Sequence, residues 1–376
     1  HYDVQPVQPL EEWHDDPFEA NVVEGPRGPR IVARGAADDK GQLMTFVEAI
    51  RSWKAVHGQL PIRVVMLFEG EEECGSPSLE PFLHEHKDEL LAETCIVCDT
   101  GMWDVDTPAI TSRLRGLVYI EATLRGPSHD LHSGGYGGAL VNPANALTKI
   151  LGDLHDDQGK VQIAHFYDDV NEISEKQSKQ WDELGDADAL LLESSGAKAT
   201  FGEEGFTTLE RLWARPTCDI NGLFAGYTGA GAKTVIGATA TAKISCRLVA
   251  SQNPQEVQNN LLAFLEERTP VGCSWEIKSF GVNPAISVPT DSPWLAAASQ
   301  ALTDTFPNPA VLIGSGGSIP VVGEFQEILG VDAVLVGFSL DDDLIHAPNE
   351  KFELSCFHNG VRAHATILDK YASIQS

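Results

Sequence analysis

Two periodicities alternate between residues 31 and 110, and few folds are open to a chain that does this. "QLMTFVEAIRSW" sets Leu43, Phe46, Val47, Ile50 and Trp53 at helical spacing, and Gly58 supplies a stop. "IRVVMLFEG" and "CIVCD" are instead unbroken apolar runs of strand length, the pattern of strands buried on both faces. "RIVARG" reads as a further strand ahead of the helix. Strand, helix, strand, helix, strand predicts an α/β fold, a mostly parallel sheet with helices on both faces.

The pattern changes near Gly116. "LVYIEATLRG" alternates like a half-buried strand, and Asn142 followed by Pro143 opens a helix through "ANALTKILGDL". "DINGLFAGY" and "AKISCRLVA" read as strands, Asn253–Pro254 opens a second helix, and "CSWEIKSF" closes the set. The order β-α-β-β-α-β is a split βαβ, ferredoxin-like arrangement. An acidic, helix-rich insertion from His155 to Trp213 interrupts it and offers no chemistry of its own. After Ser287 the α/β pattern returns, with a helix at 293–304, a strand "AVLVGF" and a closing helix from Asn359 to Tyr371. Residues 1–114 and 286–376 are therefore expected to form one α/β domain, interrupted at 115–285 by a smaller α+β domain.

With 55 acidic against 26 basic residues the formal charge is −29, a field that repels phosphate backbones and anionic lipid surfaces. Nucleic acid and membrane are thus not expected partners, and no run of about 18 apolar residues could span a bilayer. Seven cysteines scattered through the chain make no disulfide framework. Cys95 and Cys98 lack the second pair that a zinc site would need and read as small apolar residues of a strand. This composition fits the cytoplasm; a secretory signal ahead of His1 is the alternative.

In open α/β sheets, reactive groups gather beyond the carboxyl ends of the strands. "RIVARG" runs into "AADDKG", "IRVVMLF" into "EGEEECGS", "CIVCD" ends on Asp99, and "AVLVGFSL" leads into "DDDLIHAPNE". "HYD" stands where an earlier strand would have ended. Any one of these loops alone is ordinary solvated surface. Repetition after strand upon strand is not explained by solvation, because each delivers a carboxylate or imidazole to the same rim.

"HYDVQP", "GAADDKG", "EGEEECGS", "CDTGMW", "DLHSGGYGG", "GGSIPV" and "HAPNEK", in this order from residue 1 to the last helix, resemble the di-metal amino- and carboxypeptidases of the carnosinase and aminoacylase type. The resemblance is strongest to the cytosolic nonspecific dipeptidase and carnosinase branch. It implies a zinc-peptidase-like catalytic domain with an inserted lid and dimerisation domain. It also implies a homodimer and two divalent metal ions: zinc first, manganese or cobalt as alternatives. Asp38 would bridge the metals, Glu73 and His346 would complete one site, and His1 and Asp99 the other. Glu72 would be the general base acting on a metal-bridging hydroxide, and Asp3 would orient and polarise His1.

The chemistry suits these assignments. Imidazole plus carboxylate fits zinc, a base beside the metals can return the proton to the leaving amine, and a ligating His usually donates its other N–H to a carboxylate. By the same resemblance His132 stabilises the oxyanion from the partner subunit, and Arg247 and Thr234 grip the substrate carboxylate. "GSGGSIP", around Gly317 and Ser318, reads either as backbone N–H groups and a hydroxyl offered to that carboxylate or as a simple tight turn. A cis peptide between Asp38 and Asp39 is implied as well.

The activity implied is hydrolysis of the amide bond of dipeptides or small peptides bearing a free carboxylate. An N-acyl amino-acid deacylase of the succinyl-diaminopimelate desuccinylase type would use the same metals and base. A non-catalytic protein or a fragment with an incomplete metal site is the reading from another class; retention of Glu72, Glu73 and Asp3 speaks against the former. The resemblance also implies strands and helices ahead of His1, so the chain is expected to be a fragment of a longer one. On that expectation neighbouring strands lose pairing, and His1, on a free chain end, holds metal weakly or not at all.

Overall fold

The structure, a computed structural model, describes residues 1–317 and 319–375. Its contacts divide the chain into two compact units, His1–Arg113 with Ser287–Gly314 and Ile319–Ser376, and Leu114–Ile286 with Ser315–Ser318.

The first unit is α/β. Helix Lys40–His57 ends where Gly58 turns to φ 81° and its N–H donates to the Lys54 carbonyl. The closing helix, Leu354–Gln375, packs against both Lys40–His57 and Pro293–Thr305. It begins five residues before the expected Asn359, because Leu354–His358 carry no cap or breaker that would mark a later start. The main sheet runs in the order Ile286–Ser287, Ala109–Leu114, Ala333–Val336, Cys95–Val97, with Val311–Ser315 also beside Ala109–Leu114. It is mixed rather than mostly parallel: Ala333–Val336 pairs parallel with Cys95–Val97 and antiparallel with Ala109–Leu114. A smaller sheet joins Asn21–Gly25, Gly28–Val32 and Lys351–Glu353.

"IRVVMLFE" departs most from expectation. Residues 62–69 join no ladder, and Val65, Met66 and Phe68 are exposed. An apolar run specifies burial, but a strand also needs a neighbour for its N–H and C=O groups. Here the segment lies along an apolar cavity of about 610 Å3, lined also by Leu43, Phe46, Ile96 and Leu368. The segment is therefore not the buried strand its apolar run predicts.

His364 sits in this unit's core, its ring edge-on to Phe46 and Phe338 at 5.9 and 5.3 Å, with Nε2 lacking a hydrogen-bond partner. Burial lowers its pKa to about 4. The unfolded chain takes up this proton near pH 6.5 and the folded chain only near 4, so stability falls as pH drops through that window. His364→Leu should therefore flatten the loss of thermal stability between pH 7 and 5, by about 2 kcal/mol at the acid end. Melting curves of the two proteins that stay parallel with pH would contradict this.

The second unit is the ferredoxin-like one. Its four-stranded sheet has the order Ser274–Asn283, Gly116–Arg125, Thr239–Leu248, Thr217–Ala225, with Gly116 opposite Leu248 and Arg125 opposite Thr239. Alternate residues of Gly116–Arg125 turn inward, so that Val118, Ile120, Ala122 and Leu124 join Ile244, Cys246 and Leu248 in one core. Leu147 and Leu261 bring helices Pro143–Gly152 and Pro254–Glu267 onto it. Both helices start at the expected caps, Asn142 accepting from the Ala144 amide and Asn253 from those of Gln255 and Glu256. The acidic insertion holds short helices, among them Glu175–Asp182 and Thr208–Trp213, tied by Trp181 against Trp213.

Candidate metal centre

Loops of the first unit carry a constellation of acids and imidazoles to one place. Asp38 lies between strand Gly28–Val32 and helix Lys40–His57, in a loop whose Asp38–Asp39 peptide is cis. Glu72 and Glu73 lie on the single turn Glu72–Cys74, which Gly75 ends in the left-handed conformation. Asp99 follows strand Cys95–Val97, and His346 sits in the loop ahead of Lys351–Glu353. Leu344 and His346 both have positive φ there, 57° and 64°, a conformation L side chains adopt at a cost of about 1 kcal/mol or more.

The two oxygens of Asp38 face two different imidazoles. Oδ1 is 3.1 Å from His1 Nε2 and Oδ2 is 2.8 Å from His346 Nε2. Glu73 Oε2 approaches His346 Nε2 at 3.4 Å, and Asp99 Oδ2 approaches His1 Nε2 at 3.9 Å. Two groups result, His1–Asp38–Asp99 and Asp38–Glu73–His346, each with its ligand atoms within 4.8 Å of one another. Asp38 is common to both. Glu72, 3.9 Å from His1, belongs to neither.

Asp3 ties the halves together: Oδ1 meets His1 Nδ1 at 3.1 Å, and Oδ2 accepts from the Glu73 amide at 3.0 Å. The His1 ring is almost fully buried between Asp3 and Asp38. It is thus held by Asp3 on one side and Asp38 on the other.

Electrostatics favour a cation here. Burial opposes protonation of His1, yet its hydrogen bond to Asp38 and the charges of Asp99, Asp39 and Asp38 carry its pKa up to about 10. Burial likewise opposes the charge on Asp38, but His1 and His346 outweigh it and hold the carboxyl below its usual range. Asp99 and Asp39 are pushed well up, first by burial and then by neighbouring carboxylates. Burial also raises Glu72, with Glu73, Asp38 and Glu69 adding and His1 opposing. Glu73 Oε1 and Asp39 Oδ1 are buried without a hydrogen-bond partner. Crowded carboxylates with unused oxygens beside two imidazoles fit divalent cations, which would restore the charged forms.

Sequence reasoning missed two residues that shape this centre. Gln5 Nε2 donates to Glu73 Oε2 at 2.6 Å, and Glu350 accepts from the loop that carries Asp38. Both stand inside the quoted "HYDVQP" and "HAPNEK", so motif membership was the available signal.

The remaining candidates belong to the second unit. Strand Leu131–His132 pairs with Val235–Ile236, which brings His132 beside Thr234, and the Ser133 amide donates to the Thr234 carbonyl at 3.1 Å. His132 Nδ1 accepts from the Gly134 amide at 2.9 Å, so a neutral ring carries its proton on Nε2. Arg247 is half-buried on strand Thr239–Leu248. The Gly317 amide donates to Ser315 Oγ at 3.1 Å and its carbonyl accepts from the Arg115 amide at 3.0 Å. Ser318 lies outside the described residues.

A model of peptidase family M20/M25/M40 matches residues 1–370. The chain belongs to this family. Among M20 relatives, the Cys-Gly metallodipeptidase dug1 of Schizosaccharomyces pombe is 31% identical over the whole of this chain and 79% of its own length. The human Beta-Ala-His dipeptidase is 29% identical over the whole chain and 74% of its own. Of solved structures, the M20 metallo-carboxypeptidase Sso-CP2 of Sulfolobus solfataricus matches with a TM-score of 0.86 at 33% identity, covering 99% of this chain and 84% of that one.

Proposed function

We propose that this M20 peptidase is a dipeptidase that hydrolyses the amide bond of small peptides with a free carboxylate, using two zinc ions. The observation that carries the reading is Asp38, whose two oxygens face His1 on one side and His346 on the other. His1 and Asp99 would hold one ion, Glu73 and His346 the other, and Asp38 both. When bound, such ions polarise the scissile carbonyl and make water more acidic. Glu72, close by but in neither group, takes the proton of the attacking water and returns it to the leaving amine. Asp3 keeps His1 Nδ1 protonated and its Nε2 free to ligate.

In the second unit, the proton on His132 Nε2 suits an oxyanion, and Arg247 and Thr234, with Gly317 and Ser318, suit a substrate carboxylate. This unit would serve as lid and dimerisation domain. Its edge strand Thr217–Ala225, with Ile220, Leu223 and Phe224 exposed, supports pairing of two copies. Among the described residues no helix is long and apolar enough to cross a membrane. The seven cysteines are all free, which supports a reducing, cytoplasmic setting.

The test is a panel of dipeptides and N-acyl amino acids, assayed before chelation, after it, and after zinc is restored. Zinc-restored cleavage of dipeptides above acyl-amino acids is expected; the reverse preference would make the protein a deacylase. Absence of turnover in both sets would overturn the enzymatic reading.

A further inference from the structure

Glu350 is fully buried, four residues beyond His346, and every acceptor position of its carboxylate is taken. Oε2 accepts from Arg34 Nη1 at 2.7 Å and from the Gly35 amide at 3.0 Å. Oε1 accepts from the amides of Ala37 and Asp38, both at 2.9 Å. The Glu350 carbonyl accepts in addition from the Ala33 amide at 3.1 Å. Arg34 alone would satisfy the charge, and an ion pair needs none of the backbone donors. These come from the turn that ends on Asp38, and one is the amide of Asp38 itself.

The other side of the His346 loop is pinned separately. Lys351 Nζ meets Asp343 Oδ1 at 2.5 Å, and Asp343 Oδ2 accepts from the Leu340 amide at 2.7 Å. Arg34 is itself held, its guanidinium 5.3 Å from the Trp13 ring centroid. Glu350 thus joins two loops about 310 residues apart in sequence, one bearing Asp38 and the other His346.

We propose that Glu350 is a positioning residue for the metal centre: it fixes the Asp38 turn against the His346 loop, so that both ligands are in place before a cation arrives. A carboxylate is required because all the groups facing it are donors. The substitution Glu350→Gln would turn an N–H2 toward one of these donor pairs and leave Arg34 without its counter-charge. The inference rests on the reading of Asp38 as the shared ligand.

The test compares wild type, E350Q, D38N and the core variant L302A. Each is measured for metal-free melting temperature, for zinc affinity by competition with a chromophoric chelator, and for dipeptide kcat and KM. E350Q should weaken zinc binding about 10- to 100-fold and lower kcat more than it raises KM. L302A should lose comparable thermal stability while keeping zinc affinity. Wild-type zinc affinity in E350Q, or equal weakening in L302A, would overturn the proposal and leave the function standing. Unchanged zinc affinity in D38N would overturn both.

A measurement on the wild type needs no variant to fold. Amide exchange at Gly35, Ala37 and Asp38 should be slow in the metal-free protein, and exchange there as fast as in an exposed loop would contradict preorganisation.

Discussion

Replacing Glu72 by Gln should lower kcat by about 10²- to 10⁴-fold while leaving the metal content unchanged. Gln matches Glu in shape but cannot accept the water's proton, and Glu72 lies outside both ligand groups. Its neighbour should behave differently. Glu73 faces His346 at 3.4 Å, so Glu73→Gln should release metal as well as activity. On this proposal two adjacent acids on one short turn would divide ligation from proton transfer. Kinetics alongside metal analysis of both variants decide the assignment, and loss of metal from Glu72→Gln with retention in Glu73→Gln would exchange their roles.

Asp38→Asn should be more severe for binding than any other single ligand change. An amide keeps one oxygen but turns an N–H2 toward one of the two imidazoles and removes a charge that both ions would share. Both affinities should fall together, by more than the roughly 10- to 100-fold that loss of an outer partner costs. Asp99→Asn and Glu73→Gln should each weaken mainly one position. Calorimetric zinc titration separates these cases, and one site of wild-type affinity surviving in Asp38→Asn would show that the carboxylate is not shared.

The loops that would carry the ligands were legible because they follow strand signals and recur with acidic or His residues, whereas the proposed ligand set came from the family resemblance. The ferredoxin-like unit was legible for a related reason. A sheet buried on one face writes its alternation into Gly116–Arg125, and Asn–Pro pairs mark both helix starts. Residues 62–69 misled because apolarity records what a segment is buried against and says nothing about its ladder partner. Glu350 and Gln5 carried no signal beyond motif membership, for the opposite reason. Their partners are a loop backbone and a side chain far along the chain, and no local periodicity encodes such a bond.

The most direct measurement is anomalous diffraction at the zinc edge from crystals grown with saturating zinc. Two peaks per chain should flank the Asp38 carboxylate, about 3.5–4 Å apart, one touching His1 and Asp99 and the other Glu73 and His346. A single peak, or none in contact with Asp38, would contradict the account.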